Sequence, residues 1–247
     1  MSSARPRVLL NFAASLDGKI NPAPGLRAGR FMMSRGREDL RRMLSLRAEA
    51  DAILVGASNL RADDPDLAIP AEERAARRAR GAPEPLRAVV TTRAEGIAPG
   101  MKIFDPARGG RSIVLHAGLM PAEARARLAP VAELVELGAS AVGAADLLAW
   151  FAGRGVRTLL CEGGGDLAAR LFAARAVDEL YLTLVPRVLG GARAPTLAGG
   201  PGFAPDGIPD GRLASLEQLG DELSSLHVRL GGRAAVGAYE QPPARLM

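Results

Sequence analysis

The stretch 51-DAILVGASNLRADDPDL-67 sets the fold class, because its first half is an apolar run without polar alternation. A strand of that composition has to be covered on both faces, as parallel strands are between two helix layers. The second half closes on Arg61, Asp63, Asp64 and Pro65. Aspartates that bond local amides, followed by a proline, make a solvated turn. Two adjacent carboxylates beside an arginine serve equally well to bind hydroxyls or pass a proton. Both readings stand at this point.

Runs of the same kind recur outward from it. Val8 to Ala13, Arg87 to Thr91, Ser112 to His116, Glu133 to Leu137, Arg157 to Cys161 and Glu179 to Val185 read as strands, with longer helical patterns between them. In "SRGREDLRRMLSLRAEA" the spacing puts Leu40, Met43, Leu44 and Ala48 on one helical face, with Ser34 as N-cap. Further helices are expected over Pro121 to Leu128, over Ala144 to Ala152, around Leu167, Leu171 and Phe172, and over the charged "EERAARRARG". Leu213 to Leu219 and Leu223 to Leu230 read as a closing antiparallel pair. The segment from Pro186 to Gly211 is too long and too rich in Gly and Pro for a routine connection, so it is either a functional loop or a poorly ordered one. No repeat or domain boundary interrupts the pattern. The expectation is an α/β fold: a single domain over 1–247 with a mostly parallel central sheet flanked by helices and a C-terminal antiparallel pair.

Composition narrows the function classes. With 48% apolar residues and both charge signs mixed, the chain is a soluble globular type, and no apolar run approaches the roughly 20 residues of a membrane span, so a cytoplasmic protein is expected. One cysteine, Cys161, and two histidines, His116 and His227, exclude an internal disulfide and argue against a Cys/His zinc site; no metal is expected. The net charge of +5 rests on arginines scattered among alanines, and at 4% aromatics no basic run is interleaved with stacking side chains, so nucleic acid is not an expected partner.

Two more segments carry chemistry. In "LLCEGGGDLAARLF" a strand ends at Glu162 and a helix follows Gly163, Gly164 and Gly165. Glycines there let backbone amides approach a phosphate at a helix N-terminus. The spacing is not that of the G-x-G-x-x-G fingerprint, and a tight turn that simply needs glycine is the equal alternative. In "NFAASLDGKI" an apolar strand ends in Ser15, Asp17, Gly18 and Lys19, at the carboxyl end where open α/β sheets bind ligands, although Asp17 and Gly18 are also a natural turn pair.

Taken in order, "NFAASLDGKI", "SRGREDLRRMLSLRAEADAILVGASNLRADDPDL" and "LLCEGGGDLAARLFAARAVDELYLTLVPRVLGG" resemble the pyrimidine reductase family of riboflavin biosynthesis, over Val8 to Gly191. The resemblance implies a dihydrofolate-reductase-like fold, a homodimer, and NADPH-dependent reduction of a phosphoribosylamino-pyrimidine to its ribitylamino form, with hydride delivered to C1′ of the opened sugar. It further implies that Gly163, Gly164 and Gly165 cradle the cofactor diphosphate, and that Gly56 lets the cofactor pass over its strand end. Thr92 and Arg93 would meet the adenosine 2′-phosphate, for which a forked guanidinium is suited. Asn11, Ser15, Asp17, Ser34, Arg61, Asp63, Asp64 and Glu162 would line the substrate side, with Asp64, and after it Asp63, handling the proton and Arg61 holding the ribose phosphate.

The chain departs from that pattern in places. Asn59 stands where a threonine is usual, Phe31 and Met33 stand where a tryptophan and a threonine are common, and "AIPAEE" replaces an arginine shortly after "DDPDL". The His-x-Glu and Cys-x-x-Cys of the zinc deaminase that precedes the reductase in bifunctional proteins are missing, so the deaminase is expected to be another protein. The alternatives are a reductase of the same fold with another substrate, or a non-catalytic nucleotide-binding homologue. Whether a uracil or a diaminopyrimidinone is reduced stays open.

Overall fold

The computed structural model describes residues 5–32, 38–219 and 223–230. Met33 and Ser34, and with Ser34 the expected N-cap and one substrate-side residue, lie outside the described residues. In chain order the elements are β1 (Arg7–Ser15), α1 (Gly29–Met32), α2 (Glu38–Glu49), β2 (Ala52–Gly56), α3 (Ala57–Asp63), α4 (Ala71–Ala79), β3 (Leu86–Thr91) and β4 (Ser112–His116). There follow α5 (Ala122–Leu128), β5 (Glu133–Glu136), α6 (Ala144–Gly153), β6 (Thr158–Cys161), α7 (Gly165–Ala173), β7 (Glu179–Val185), β8 (Gly211–Leu219) and β9 (Leu223–Leu230).

The strands form one sheet in the order β5-β4-β3-β2-β6-β1-β7-β9-β8. Pairing is parallel from β5 to β7, and β9 runs antiparallel to both β7 and β8. Every residue of β2 and β4 is buried, which is why neither strand alternates in sequence. Complete burial of Ile53, Leu54 and Val55 is worth about 1.5–3 kcal/mol per side chain. One face carries Val8, Leu10, Leu54 and Leu115 against Phe151 of α6 and Leu171 of α7. The other carries Leu9, Ile53, Val89 and Leu160 against Leu46 of α2, Leu60 of α3 and Leu128 of α5.

Three expectations change in detail. Pro121 precedes α5 as its N-cap instead of opening the helix. The buried face of α2 is centred on Leu46 and Arg47, while Leu40, Met43 and Leu44 are apolar because they line cavities. The charged end of the opening stretch is a helix, α3, which starts directly at the end of β2 and stops where Asp64 takes left-handed backbone (φ 45°, ψ 56°).

β6 slots between β2 and β1, so the segments leaving these three strands diverge at their carboxyl ends and leave a crevice. The Gly/Pro-rich segment after β7 closes one side of it. Backbone bonds from Leu16 N to Arg187 O and from Ile20 N to Pro195 O, with a bridge between Lys19 and Thr196, fix that segment to the turn after β1. Gly199 N bonds Gly165 O and ties it to the start of α7. Among the described residues no helix is long and apolar enough to cross a membrane.

Candidate active site

The crevice is a cleft of about 770 Å³ walled by Asn11 of β1, Met43 and Arg47 of α2, Asn59 and Asp63 of α3, Glu162 after β6, and Thr196. A second groove, of about 470 Å³, is lined by Gly56, Arg61, Thr92, Arg93 and Arg170. Ser58, Gly164 and Asp166 line both, so the two spaces meet across the glycine turn.

That turn is shaped by steric exclusion. Gly163 and Gly164 have φ of +129° and +95°, in the region that disfavours side chains. A Cβ on Gly163 would lie 2.3 Å from Asn59 Nδ2, and one on Gly165 would lie 2.3 Å from the Thr196 carbonyl oxygen. Asn59 Nδ2 also donates to Glu162 O at 2.8 Å, so the residue that departs from the usual threonine holds the turn in place. The turn delivers the N-terminus of α7, with its unpaired amides and partial positive charge, to the junction of cleft and groove.

Beneath the turn lies an ion pair withdrawn from water. Arg47 Nε and Nη2 each donate to a Glu162 carboxylate oxygen at 2.7 Å, and the two side chains are 5% and 7% exposed. Arg47 Nη1 reaches Asp66 Oδ1 at 3.3 Å and Ala68 O at 3.1 Å. The pair joins α2 to the end of β6 and fixes Glu162 at the cleft wall.

Of the residues singled out in the sequence, Asn11, Asp63, Glu162, Gly163, Gly164 and Gly165 come together in the cleft. Gly56, Thr92 and Arg93 meet in the groove. Asp63 Oδ1 accepts from Ala28 N at 2.8 Å; burial raises its pKa, against the opposing pull of that amide and of Arg27.

Four more of the residues singled out lie outside the cleft lining. Asp64 does not line the cleft: its carboxylate accepts from Lys102 N at 3.0 Å and caps the turn there. Arg61 lines the groove instead of the substrate side, lying over Gly96 and donating to Glu95 O at 3.0 Å. Ser15 and Asp17 lie outside the cleft lining and hold the loop beside it, where Asp17 accepts from Leu189 N at 3.0 Å and Gly190 N at 2.7 Å. The Ser15 hydroxyl and then the Leu189 amide hold the Asp17 pKa down at about 2.

Sequence reasoning missed Arg47, Asp39, Arg42 and Arg170. Arg42 bonds Thr183 and Ser225 and reaches Asn11 Oδ1 at 3.4 Å, connecting the cleft wall to β7 and β9. Arg47 sits on the buried side of an amphipathic helix, and that mismatch was the signal that could have found it. Arg170 lies one helical turn after Asp166, a spacing that puts both on the same side of α7.

Residues 6–224 match the family model of the RibD C-terminal domain. The chain belongs to this family. Among RibD C-terminal domain relatives, the 2,5-diamino-6-ribosylamino-4(3H)-pyrimidinone 5′-phosphate reductase of Archaeoglobus fulgidus is 34% identical over 219 residues, 88% of this chain and 95% of that protein. The protein of the same name from Methanothermobacter thermautotrophicus is 34% identical over 224 residues, covering 89% and 96%. In fold, the domain resembles a pyrimidine reductase-like protein of Corynebacterium diphtheriae, with a TM-score of 0.78 at 18% identity over 92% of each chain. RibD of Acinetobacter baumannii aligns with a TM-score of 0.70 at 21% identity over 92% of this chain and 58% of that one.

Proposed function

We propose that this chain is an NADPH-dependent reductase that converts the ribosyl moiety of a 5-phosphoribosylamino-pyrimidine to the ribitylamino form in riboflavin biosynthesis. The observation that carries the reading is the meeting of cleft and groove at the glycine turn. A dinucleotide laid across that turn has its adenosine half in the groove and its reactive half in the cleft. The names of the relatives, matched over nearly their whole length, agree with this reading.

The residues present fit NADPH. Among the described residues, Arg93 and Arg170 form no ion pair and Arg61 is engaged by a backbone carbonyl, so three guanidinium groups, against the carboxylates of Glu95 and Asp166, line the groove that would take a 2′-phosphate. Gly163 and Gly164 bring backbone amides to the diphosphate, and Gly56 keeps the strand end clear of it. When bound, NADPH supplies the hydride.

The chain's own residues orient the substrate and supply the proton. Asp63 is the proton source in this reading, because burial favours its neutral form and one oxygen is fixed by the Ala28 amide. Asn11 and Glu162, held by Arg42 and Arg47, position the pyrimidine and the opened sugar. Pro195 and Thr196 keep water from that side of the cleft.

The working unit in this proposal is a cytoplasmic homodimer. Leu182, Leu226 and Leu216 are cross-strand partners in sequence, as are Leu180, Val228 and Leu213. They share one sheet face, on which Leu213 and Leu216 are 58% and 63% exposed. Oxidation of NADPH by purified protein with either pyrimidine tests the reaction, and no turnover with both would reject it. Sedimentation equilibrium with a Leu213→Glu/Leu216→Glu variant tests the dimer, which should become a monomer.

A further inference from the structure

We propose that Asn21 is a specificity-determining residue whose side-chain oxygen accepts a hydrogen bond from a primary amino group on a bound ligand. Asn21 follows the turn after β1, lines the cleft and is 8% exposed. Its Nδ2 donates to Leu26 O at 2.5 Å, and because a carbonyl accepts only from a donor, this bond fixes which end of the amide is nitrogen. Oδ1 is therefore the free end, and it is buried with no hydrogen-bond partner among the described residues.

Buried acceptors are normally paired, so one left without a partner in a residue that lines the cleft calls for a donor. Glu84 Oε2, Arg42 Nε, Arg74 Nε and Arg87 Nε are also unpaired, but none of these residues lines the cleft. Asn21 and Asp63 both line the cleft, and Asn21 does not line the groove of Arg61, Arg93 and Arg170.

On the functional reading above, two ligand groups in the cleft carry an NH2 that a competing ligand lacks: the carboxamide of the nicotinamide, and the 2-amino group of a diaminopyrimidinone; the 5-amino group is common to both pyrimidines and cannot discriminate. A pyrimidine with a 2-oxo group in that place would set acceptor against acceptor. The site's chemistry is the same in both cases, and the experiment separates the sources.

The test compares kcat/KM for NADPH with that for its 3-acetylpyridine analogue, which replaces the NH2 by a methyl group, and kcat/KM for the 2-amino with that for the 2-oxo pyrimidine. Wild-type protein should discriminate by about tenfold or more in one of these ratios, because the loser leaves Asn21 Oδ1 unpaired. Asn21→Ala and Asn21→Ser should bring that ratio close to one and leave the other unchanged. Loss of the Leu26 bond alone lowers all four rate constants together and moves neither ratio. Absence of discrimination in the wild type, or ratios unchanged in a folded variant, overturns the proposal. If the wild type turns over no pair, the functional reading fails, and the same ratios measured as Kd by calorimetry still decide Asn21.

Discussion

Replacing Arg47 with leucine removes the partner of a carboxylate that is 7% exposed. The loss falls mainly on Glu162, since Asp66 keeps Arg108 at 2.9 Å. Breaking one side of a buried pair typically costs about 3–5 kcal/mol, because the remaining charge stays out of water without compensation. For a domain of this size that corresponds to a fall in Tm of about 6–20 °C. The matching variant, Glu162→Gln, leaves Arg47 with Asp66 and the Ala68 carbonyl and should cost less. Combined, Arg47→Leu with Glu162→Gln should recover part of the loss, because no unpaired carboxylate then remains at that position. Urea unfolding of the four proteins, followed by circular dichroism at neutral pH, gives the coupling between the two sites. A coupling of at least about 1 kcal/mol is expected, and additivity within about 0.5 kcal/mol would refute the claim that this pair ties α2 to the end of β6.

The remaining predictions concern the proton, the cofactor and the loop. Asp63→Asn should lower kcat/KM by about 10²–10⁴ if Asp63 gives the proton. Burial raises the folded pKa of Asp63 above its unfolded value, so above the folded value its ionisation opposes folding, and the penalty fades as pH falls through that value. The same variant should therefore match or exceed the wild-type Tm at neutral pH, with the gain shrinking on acidification; thermal melts across pH check this. Arg93→Ala or Arg170→Ala should weaken NADPH binding by about tenfold while NADH binding hardly changes, and equal losses in calorimetry would remove them from the 2′-phosphate site. Gly165→Ala puts a Cβ 2.3 Å from the Thr196 carbonyl oxygen, so it should displace the loop and raise KM for both ligands. In Asp17→Ala, hydrogen exchange at the Leu189 and Gly190 amides should quicken, because their acceptor is gone.

Much of the fold was legible because buried parallel strands announce themselves by composition. Ala52 to Val55 and Ser112 to His116 carry no alternation, and both proved buried on all sides. The closing antiparallel pair was legible too, although its register shift between Leu213 and Ser215 was not. The site was legible in part. Its glycine turn carries a local signal, since positive φ and close approach both exclude side chains at Gly163. The charge cluster misled, because Arg61, Asp63 and Asp64 are adjacent in sequence yet α3 turns them towards different neighbours: the groove, the cleft and the Lys102 turn. Arg47 left a local trace as a charge on the apolar side of its helix, but its pairing with Glu162 was out of reach, because the partners lie 115 residues apart and no local periodicity encodes a contact made between elements.

The most direct measurement follows the hydride itself. Reduced NADPH carrying deuterium at C4 of the nicotinamide is incubated with the protein and a phosphoribosylamino-pyrimidine, and the product is analysed by mass spectrometry and NMR. The account expects deuterium at C1′ of a ribitylamino product, with transfer abolished or strongly slowed in Asp63→Asn. Deuterium at another carbon, or no transfer to either pyrimidine by folded protein that binds NADPH, would contradict it.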